Sequence, residues 1–357
     1  MKVALITDTH WSIRNDSKAF ADYFSRFYQN VFFPYLKEHN IKTLIHLGDI
    51  FDKRKSVTFF AANRMKEDLI IPMNELGIEG HFIIGNHDVP YRNINKYNSM
   101  ESLFHNTNYN LKYYSDPTEI EIDGTTILLI PWINTENYDT TMDLVETTKA
   151  QIMFGHLELQ GFQMYLGTVN TEGLNADVFK KFDIIGTGHF HHKSTEKNVN
   201  YLGAPYEMTW GDFNDPRGFH IFDTDTRELT FIQNPYRMFH KIYYSDENKN
   251  LDEILDVSLD HIKDCVVKVI IINKTNPMFF DQYMDRIEKI GVAELQVVED
   301  HRNLDVTDDS DLINEVEDTI TIMNNYVAKM EVSEKDKTAL DTLFRQLHEE
   351  VYNLESE

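Results

Sequence analysis

The stretch Thr43-Leu44-Ile45-His46-Leu47-Gly48-Asp49-Ile50-Phe51-Asp52 carries the pattern on which the interpretation of the fold depends. Its first half is a short apolar run of the kind that forms a buried β-strand. Its second half places a glycine and two carboxylates directly after that run. Because ligand sites in open α/β sheets collect at the carboxyl ends of strands, the stretch predicts a sheet whose strand ends carry functional side chains.

Four further segments repeat this pattern of an apolar run followed by residue types that bind metals. At their ends stand Asp8 and His10, Gly85-Asn86-His87-Asp88, Gly155-His156, and Gly188-His189-Phe190-His191. Taken singly, an aspartate or histidine at a strand end is most often a turn or cap residue. Parallel strands would direct all of them to one place, so together they predict a single site. The glycines before Asp49, Asn86, His156 and His189 predict tight turns that bring those side chains to it.

The other periodic segments predict an α/β layered domain followed by a smaller one. Apolar, strand-like runs recur to about residue 235, at 3–7, 43–47, 81–84, 126–130, 152–154, 183–185, 219–222 and 229–232. Helical spacing of apolar residues occupies 20–37, 58–76 and 175–181. From 241 to 300 the order strand, helix (251–262), strand, helix (278–290), strand predicts a small α+β domain. The predicted domains are therefore 1–238 and 239–303, with an appended segment at 304–357.

The appended segment predicts a helical hairpin. Apolar residues recur at alternating spacings of three and four in two groups: Ile313, Val316, Ile320, Met323, Val327 and Met330, and then Leu340, Phe344, Leu347, Val351 and Leu354. Ser333 followed by Asp336 is a helix-start pattern that separates the two groups. Such narrow stripes are typical of helices that dock on a partner, or on each other.

Composition excludes several classes of protein. The chain has 357 residues, 41% of them hydrophobic and 26% charged, which is ordinary for a soluble globular protein of more than one domain. Apolar runs stay well short of the roughly 20 residues that a membrane span needs, and the first residues lack a secretory signal pattern. Cys265 stands alone, so an internal disulfide is excluded and a reducing, cytoplasmic setting is favoured.

The net charge of −25 argues against a free-standing nucleic-acid clamp, because DNA affinity normally comes from Lys and Arg. The charge is unevenly distributed, however. Residues 1–100 hold 13 basic and 11 acidic side chains, a net of +2, whereas residues 294–318 hold 10 acidic and one basic, a net of −9. The negative charge therefore lies mainly outside the first hundred residues.

Taken in order, the motifs D-x-H, GDxxD, GNHD, GH and GHxH resemble the signature of the calcineurin-like metallophosphoesterases over the first 235 residues. The resemblance implies a four-layer α/β/β/α domain and two divalent metals bridged by Asp49. The family pattern assigns to the first metal Asp8, His10, Asp49 and His191, and to the second metal Asp49, Asn86, His156 and His189. Nitrogen and oxygen donors without thiolates suit manganese, iron or zinc.

The resemblance also assigns catalytic roles beside the metals. His87 corresponds to a histidine of the family that is not a ligand, which implies a general acid, with Asp52 orienting it and favouring its protonated form. Lys53, Arg54 and Lys55 follow directly and either contact phosphates at the rim of the site or are merely solvated. Other residues are interpreted without a catalytic role: His46 as a core residue, His192 as exposed and Asp88 as a turn cap.

Two motifs favour nucleases within this superfamily. Gly85-Asn86-His87-Asp88, followed by Val89-Pro90 and Ser99, resembles the SbcD nuclease subunits and their double-strand-break-repair relatives. Gly203-Ala204-Pro205-Tyr206, Trp210-Gly211-Asp212 and Asp215-Pro216-Arg217-Gly218 resemble the recombination nuclease subunits of T4-type bacteriophages. Ala204 stands where bacterial relatives more often have Ser, and Asp52 stands where archaeal and eukaryotic relatives have His. These two differences leave the balance of exonuclease and endonuclease action open.

That second resemblance implies a manganese-dependent DNA nuclease, of the double-strand exonuclease and single-strand endonuclease type, acting in recombination and break repair. It implies a DNA-facing capping domain after residue 240 and C-terminal helices that dock on the coiled-coil root of an SMC-like ATPase. It further implies a homodimer, within a heterotetramer, formed through segments 58–76 and 95–104. Two alternatives stay open at this point: a phosphatase or small-nucleotide phosphodiesterase, and a scaffold without catalysis.

Overall fold

The protein is described here by a computed structural model that covers residues 1–91, 93–165, 168–171 and 173–299, together with Lys337 and Leu340. Apart from those two residues, the predicted C-terminal hairpin lies outside the described part of the chain. Met1–Met208 and Asp212–Glu299 form one compact unit. Among the described residues, no helix has the length and apolar character needed to span a membrane.

The strands, numbered along the chain, have the following bounds: β1 Lys2–Ile6, β2 Thr43–His46, β3 Glu79–Ile83, β4 Leu111–Tyr114, β5 Thr118–Ile122, β6 Thr125–Ile130, β7 Ile152–His156, β8 Gln163–Tyr165, β9 Thr168–Val169, β10 Ile184–Gly188, β11 Ser194–Glu196, β12 Val199–Tyr201, β13 Gly218–Asp223, β14 Leu229–Gln233, β15 Phe239–Ser245, β16 Val266–Asn273 and β17 Glu294–Glu299. The helices are α1 Ile13–Asp16, α2 Lys18–Phe27, α3 Phe33–Glu38, α4 Phe59–Met65, α5 Ile71–Glu75, α6 Ser99–Phe104, α7 Tyr138–Thr147, α8 Leu251–Leu255 and α9 Pro277–Ile290. The first of these, α1, is only a turn, because Arg14 and Asn15 have left-handed φ angles of 53° and 54°.

Two six-stranded sheets form the centre of the larger domain. Their strand orders are β14-β13-β1-β2-β3-β4 and β11-β12-β10-β7-β6-β5. In the first sheet β1 to β4 run parallel, and in the second β6, β7, β10 and β12 do. A buried cluster joins the two sheets, with Val3, Leu5 and Ile45 from the first packing with Ile127 and Phe154 from the second. The sheets are therefore stacked face to face.

Helices cover the outer faces of both sheets, which completes the predicted four-layer α/β/β/α arrangement. Against the second sheet, Val145 of α7 packs with Met153 and Ile185. On the side of α2 and α3, an aromatic cluster includes Phe24 stacked on Tyr206 at 3.7 Å between ring centroids and Phe32 edge-on to Phe219 at 4.9 Å. The apolar spacing seen in the sequence is the buried face of these helices.

Both long predicted helices contain a wider π-helical stretch, at Tyr28–Phe32 and at Lys66–Ile70. Each stretch runs into a proline, Pro34 and Pro72, near the start of the next helix. Proline lacks the N–H that an α-helix would use there, so a local widening keeps the chain helical without that hydrogen bond. The predicted helix at 175–181 is only a short 3-10 turn, Ala176–Phe179, whose start is capped by the Asn175 side chain.

The smaller predicted domain contains the parallel three-stranded sheet β15-β16-β17, with α8 and α9 on one face. Its core includes Val267, Val269, Phe280 and Ile287. The helix predicted at 251–262 ends at Leu255, before Asp256 and Ser258, whose side chains compete for backbone hydrogen bonds. The boundaries 238/239 and 303/304 remain predictions.

Candidate metal centre

The predicted site residues lie at the carboxyl ends of five parallel strands drawn from both sheets. Asp8 and His10 follow β1, Asp49 and Asp52 follow β2, Asn86 and His87 follow β3, His156 ends β7, and His189 and His191 follow β10. Because the two sheets are stacked with these ends on the same side, the loops meet above the core. The structure thus brings together the side chains that the sequence assigned to one site.

One group of possible ligands contains Asp8, His10 and His191, which are all buried. One ligand atom of each lies within 4.8 Å of the others. The Nε2 atoms of His10 and His191 face each other at 3.0 Å. This group has the members predicted for the first metal, apart from Asp49.

A second group contains Asp49, His156 and His189 under the same distance criterion. Asn86 completes it, because its Oδ1 lies 2.9 Å from Nε2 of His156 and 3.0 Å from Nδ1 of His189. Oδ2 of Asp49 is 3.3 Å from Nε2 of His156 and 3.9 Å from Nε2 of His10. The Asp49 carboxylate therefore lies between the two groups, as a bridging ligand would.

The donor set fits a pair of divalent ions. Two nitrogens that bind one ion at about 2.1 Å and at right angles to each other are about 3.0 Å apart, and His10 and His191 show this spacing of 3.0 Å. Nδ1 of His191 is buried without a hydrogen-bond partner among the described atoms, whereas Nδ1 of His10 lies 3.5 Å from the Asp52 carboxylate. Imidazole, carboxylate and amide donors without a thiolate are typical of manganese, iron and zinc sites.

Hydrogen bonds behind the ligands fix which atoms face the site. Nδ1 of His156 donates to the carbonyl of Leu47 at 2.7 Å, which leaves Nε2 as the ligand atom. The backbone N–H of His189 donates to both carboxylate oxygens of Asp8, at 3.1 and 3.2 Å. The backbone N–H of His87 donates to Oδ1 of Asp49 at 2.7 Å. The ligands are thus held in place by the loops that carry them.

Four of the predicted ligands have left-handed backbone conformations, which cost energy for residues other than glycine. Their φ angles are 51° at Asp8, 41° at His10, 53° at Asp49 and 90° at His189. Such conformations persist only where the surrounding structure enforces them, and they concentrate at functional sites. The strain therefore supports a functional role for these loops.

Glycines allow the ligand-bearing loops to approach one another closely. Only some of these glycines are needed for tight turns. Gly48 does have a positive φ of 90°. Gly85 does not, and a Cβ atom there would lie 2.2 Å from Oδ1 of Asp49. At Gly188 a Cβ atom would lie 2.0 Å from Oγ1 of Thr7. The last two glycines are required by close packing of neighbouring loops against the ligands.

Burial and charge shift the pKa values of the ligands in opposite directions. Burial alone would raise the pKa of Asp49, but His156 and His87 outweigh it and hold that pKa well below its usual range. Burial lowers the pKa of His10 and His156, yet nearby carboxylates outweigh it and raise both to about 9. Without metal, protonated histidines thus balance the buried carboxylates. Metal binding would have to displace those protons.

His87 lies beside both groups, next to Asp49 and His10. Its Nδ1 donates to the main-chain carbonyl of Asp52 at 2.6 Å, whereas the Asp52 carboxylate lies 3.5 Å from Nδ1 of His10. Burial lowers the pKa of His87. Asp52 therefore orients the His87 ring through its main-chain carbonyl. Burial alone would raise the pKa of the Asp52 carboxyl, but His10 and the charge of His87 lower it, and a role for that carboxylate in favouring protonated His87 stays a prediction.

Asp88 and His192 have more contacts than the sequence indicated. The Asp88 carboxylate accepts from the backbone N–H groups of Ile50 at 2.9 Å, Phe51 at 3.3 Å and Gly85 at 2.9 Å, so it joins the loops after β2 and β3. His192 is not simply exposed, because its Nδ1 lies 2.8 Å from the Asp215 carboxylate. His46, in contrast, is a core residue whose Nε2 meets Oγ1 of Thr9 at 3.0 Å.

Sequence reasoning missed two functional neighbours. The ring of Trp132, which follows β6, lies 5.3 Å from that of His189. Arg217 is buried, donates to the carbonyl of His191 and pairs with Asp212 at 2.7 Å and Asp215 at 2.8 Å. The strand-end pattern could have found Trp132. Nothing local in the sequence indicates that Arg217 lies behind a ligand.

The segment of the chain that carries these ligands is similar to known proteins. Residues 1–193 match the family model for the calcineurin-like phosphoesterases. The chain therefore belongs to that family, and it is a phosphoester hydrolase that uses divalent metal ions. Exonuclease subunit 1 of Enterobacteria phage T4 is 34% identical to it over 318 residues, which cover 88% of this chain and 89% of the phage protein. The resemblance inferred from the motifs is confirmed.

A second curated protein and a solved structure are less similar to the chain. The SbcD component of the SbcCD nuclease from Staphylococcus epidermidis is 24% identical over 269 residues, which cover 65% of this chain and 69% of that protein. Among solved structures, a dimetal phosphatase from Danio rerio aligns with a TM-score of 0.40 and 11% identity, covering 62% of this chain and 91% of that one.

Proposed function

We propose that the chain is a manganese-dependent DNA nuclease that hydrolyses phosphodiester bonds as the nuclease subunit of a complex with an SMC-like ATPase. The observation that carries this proposal is the 34% identity, over 88% of the chain, to a phage protein named as an exonuclease subunit. The second relative is likewise named as part of a nuclease. The two ligand groups joined by Asp49 support the phosphodiesterase chemistry.

In this proposal Asp8, His10, Asp49 and His191 hold one manganese ion, and Asp49, Asn86, His156 and His189 hold the other. When bound, the two ions supply charge withdrawal from the phosphate oxygens and activation of a water molecule. Despite burial, protonated His156 and His87 hold the pKa of Asp49 well below its usual range without metal, and the charge of two bound ions would keep this carboxylate ionised in their place. The neutral tautomer of His156 that donates to Leu47 presents Nε2.

His87 delivers a proton to the leaving oxygen. Because Nδ1 donates to the Asp52 carbonyl, the second proton of the charged ring is on Nε2, which is free to transfer it. Burial lowers the pKa of His87, so the protonated ring is a stronger acid than an ordinary imidazolium. Asp52 is a positioning residue for this step.

Arg54 is the strongest candidate for a phosphate contact among Lys53, Arg54 and Lys55. The charge of Arg54 lowers the pKa of both His87 and His189, which places it near the reaction centre. The charge of Lys53 is felt at Asp52, and Lys55 is exposed. Arginine binds phosphate with a planar pair of donors, so Arg54 suits a backbone phosphate of DNA.

The assembly is proposed from exposed surface and from the names of the relatives. Phe59 is 92% exposed, and Phe60, Ile71 and Tyr97 are also exposed, which supports a homodimer through 58–76 and 95–104. The ATPase would bind the C-terminal segment 304–357, and the domain 239–303 would face DNA. This partner would supply phosphate contacts that a chain of net charge −25 lacks. A cytoplasmic location, in the bacterial host if the gene is a phage gene, is proposed because the lone Cys265 suits a reducing compartment.

The test compares linear DNA with a small chromogenic phosphodiester, in manganese, for the wild type and for His87→Ala. Cleavage of DNA by the wild type supports the nuclease. Hydrolysis of only the small ester would instead favour a phosphatase or small-nucleotide phosphodiesterase. Turnover of neither substrate by the complex with its ATPase would favour a scaffold.

The ATPase contact has a separate test. A chain that ends at Asp309 lacks both predicted helices of the C-terminal segment. We expect it to lose the ATPase in a pull-down while keeping manganese-dependent hydrolysis of the small ester. Retention of the ATPase by the shortened chain would contradict the proposed docking.

A further inference from the structure

A cavity of about 450 Å³ opens beside the second ligand group. Its volume lies within the range of roughly 300–1,000 Å³ that is typical of small-molecule sites. Two of its lining residues connect it with the metal centre: His156 is a predicted ligand, and the Trp132 ring lies 6.2 Å from that of His156. A molecule in this cavity would therefore be adjacent to the phosphate that reacts.

The charge of the lining excludes a phosphate as the occupant. Among the described lining residues, two are acidic, Asp139 and Glu158, and none is lysine or arginine. Carboxylates repel phosphate oxygens but accept hydrogen bonds from N–H groups, which all four nucleobases carry when they are unpaired. Trp132 and Tyr138 add aromatic surface, on which bases stack. The lining therefore suits an uncharged, planar group that carries N–H donors.

Buried amides hold the Trp132 loop rigidly. The carbonyl of Trp132 accepts from Nδ2 of Asn95 at 2.7 Å and from Nδ2 of Asn137 at 3.0 Å, and its N–H donates to the carbonyl of Ile84 at 2.8 Å. Asn134 joins the network by donating to Oδ1 of Asn95 at 2.9 Å. All three asparagines are buried. Such directional bonding fixes a loop in position, which a stacking surface requires.

We propose that this cavity binds the unpaired base of the nucleotide whose phosphate lies at the metal centre, with Trp132 as the stacking surface. The inference rests on the proposed function and specifies its substrate: a nucleotide whose base has left the duplex stack. Stacking tolerates any base, so the site would select unpaired ends over paired ones without reading sequence. Trp132 is a substrate-binding residue in this proposal.

The main test uses two esters with the same leaving group, thymidine 5′-(4-nitrophenyl phosphate) and methyl 4-nitrophenyl phosphate. For Trp132→Ala we expect kcat/KM for the thymidine ester to fall by about 5- to 150-fold, mostly through KM. The methyl ester should change less than about threefold, and Trp132→Phe should keep most of the activity on both. Tyr243→Ala, an exposed aromatic residue of the smaller domain, is the matched control.

Two outcomes of this test would overturn the inference. Equal losses on both esters would mean that Trp132 supports His189 and does not bind the base. Unchanged hydrolysis of the thymidine ester by Trp132→Ala would mean that the cavity is not used. Turnover of both esters without DNA cleavage would refute the nuclease proposal alone, so the two failures are distinguishable.

A second measurement avoids variants that fail to fold. The wild type is assayed on two linear DNAs, one with an abasic 5′-terminal nucleotide and one with an abasic 3′-terminal nucleotide. We expect at least one of these abasic nucleotides to be removed more slowly than the normal nucleotide at the same end. In parallel, the indole N–H resonance of Trp132, assigned by its loss in Trp132→Phe, should shift with 2′-deoxyadenosine and not with 2-deoxyribose. Equal removal rates together with an unmoved resonance would refute base binding.

Discussion

Nδ1 of His87 lies 2.6 Å from the main-chain carbonyl oxygen of Asp52, while the carboxylate of the same Asp52 lies 3.5 Å from Nδ1 of His10. One residue thus orients the proposed acid with its backbone and meets a predicted metal ligand with its side chain. These two roles can be separated by mutation, because a side-chain substitution leaves the carbonyl in place.

Replacing His87 and Asp52 should therefore give different losses. We expect His87→Ala to lower kcat on DNA by about 10²- to 10⁴-fold, and Asp52→Asn to lower it by about tenfold or less. On a 4-nitrophenyl ester, whose leaving group needs no proton, His87→Ala should lower kcat far less than on DNA. The check is kcat on both substrates in manganese. A similar loss on the two substrates would argue against His87 as the acid.

Gly85→Ala should weaken metal binding. Its Cβ atom would lie 2.2 Å from Oδ1 of Asp49, so the bridging carboxylate would have to move. Gly124→Ala is the control, because its Cβ atom meets nothing within 4 Å and carries only the cost of its positive φ, about 1 kcal/mol. Manganese bound per chain, measured by elemental analysis after dialysis, should fall for Gly85→Ala and stay unchanged for the control. Full occupancy in Gly85→Ala would contradict the predicted displacement of Asp49.

Asp88→Ala should destabilise the fold. It would leave the backbone N–H groups of Ile50, Phe51 and Gly85 buried without their acceptor. An unsatisfied buried group costs about 1–3 kcal/mol, so we expect a loss of at least that size in the free energy of unfolding. Urea titration measures it, with Asp225→Ala, at an exposed turn, as the control. A loss below about 1 kcal/mol would show that water replaces the carboxylate.

Glu207 predicts a pH dependence of stability. Burial raises the pKa of its carboxyl to about 7, while its Oε2 accepts from the N–H groups of Met238 at 2.7 Å and Phe239 at 2.9 Å. The folded pKa lies above the unfolded value of about 4.5, so the contribution to stability is complete below pH about 4.5 and is lost as pH rises through about 7. Glu207→Gln keeps an acceptor oxygen and cannot ionise.

We therefore expect Glu207→Gln to match the wild type near pH 4 and to become more stable than it above pH 7, by on the order of 1–3 kcal/mol. Urea unfolding at a series of pH values measures the difference, and the values near pH 4 serve as the internal control. A difference that does not change with pH would mean that Glu207 is ionised in the folded protein throughout.

The exposed Phe59 predicts an effect on association. Because its side chain is 92% exposed, Phe59→Asp should leave the fold intact and weaken the proposed homodimer. Light scattering at increasing concentration should show a dimer for the wild type and a monomer for Phe59→Asp. Met278→Asp, at another exposed apolar side chain, should leave the dimer unchanged. A wild type that is monomeric at high concentration would contradict the homodimer.

Much of the centre follows from local pattern, because a strand end specifies where a side chain emerges. Asp8, Asn86 and His189 each follow a short apolar run, and parallel strands bring such ends together. Two contacts could not be predicted in this way. Arg217 reaches the carbonyl of His191 across 26 positions of sequence, and the atom by which Asp52 meets His87 depends on backbone geometry.

The outer helices also show that apolar spacing predicts an element but not its detailed geometry. Apolar spacing predicted helices at 20–37 and 58–76, and helical chain is present there. Pro34 and Pro72 could have indicated the interruptions, but spacing alone does not distinguish an ordinary turn from a wider one. The C-terminal hairpin stays a prediction.

The left-handed backbone at Asp8, His10, Asp49 and His189 has a consequence for evolution. Glycine would relieve the strain at each of these positions and would remove a metal ligand with it. Selection for thermal stability alone would therefore favour substitutions that remove metal ligands. Laboratory evolution of a more thermostable variant must screen for hydrolysis at every round.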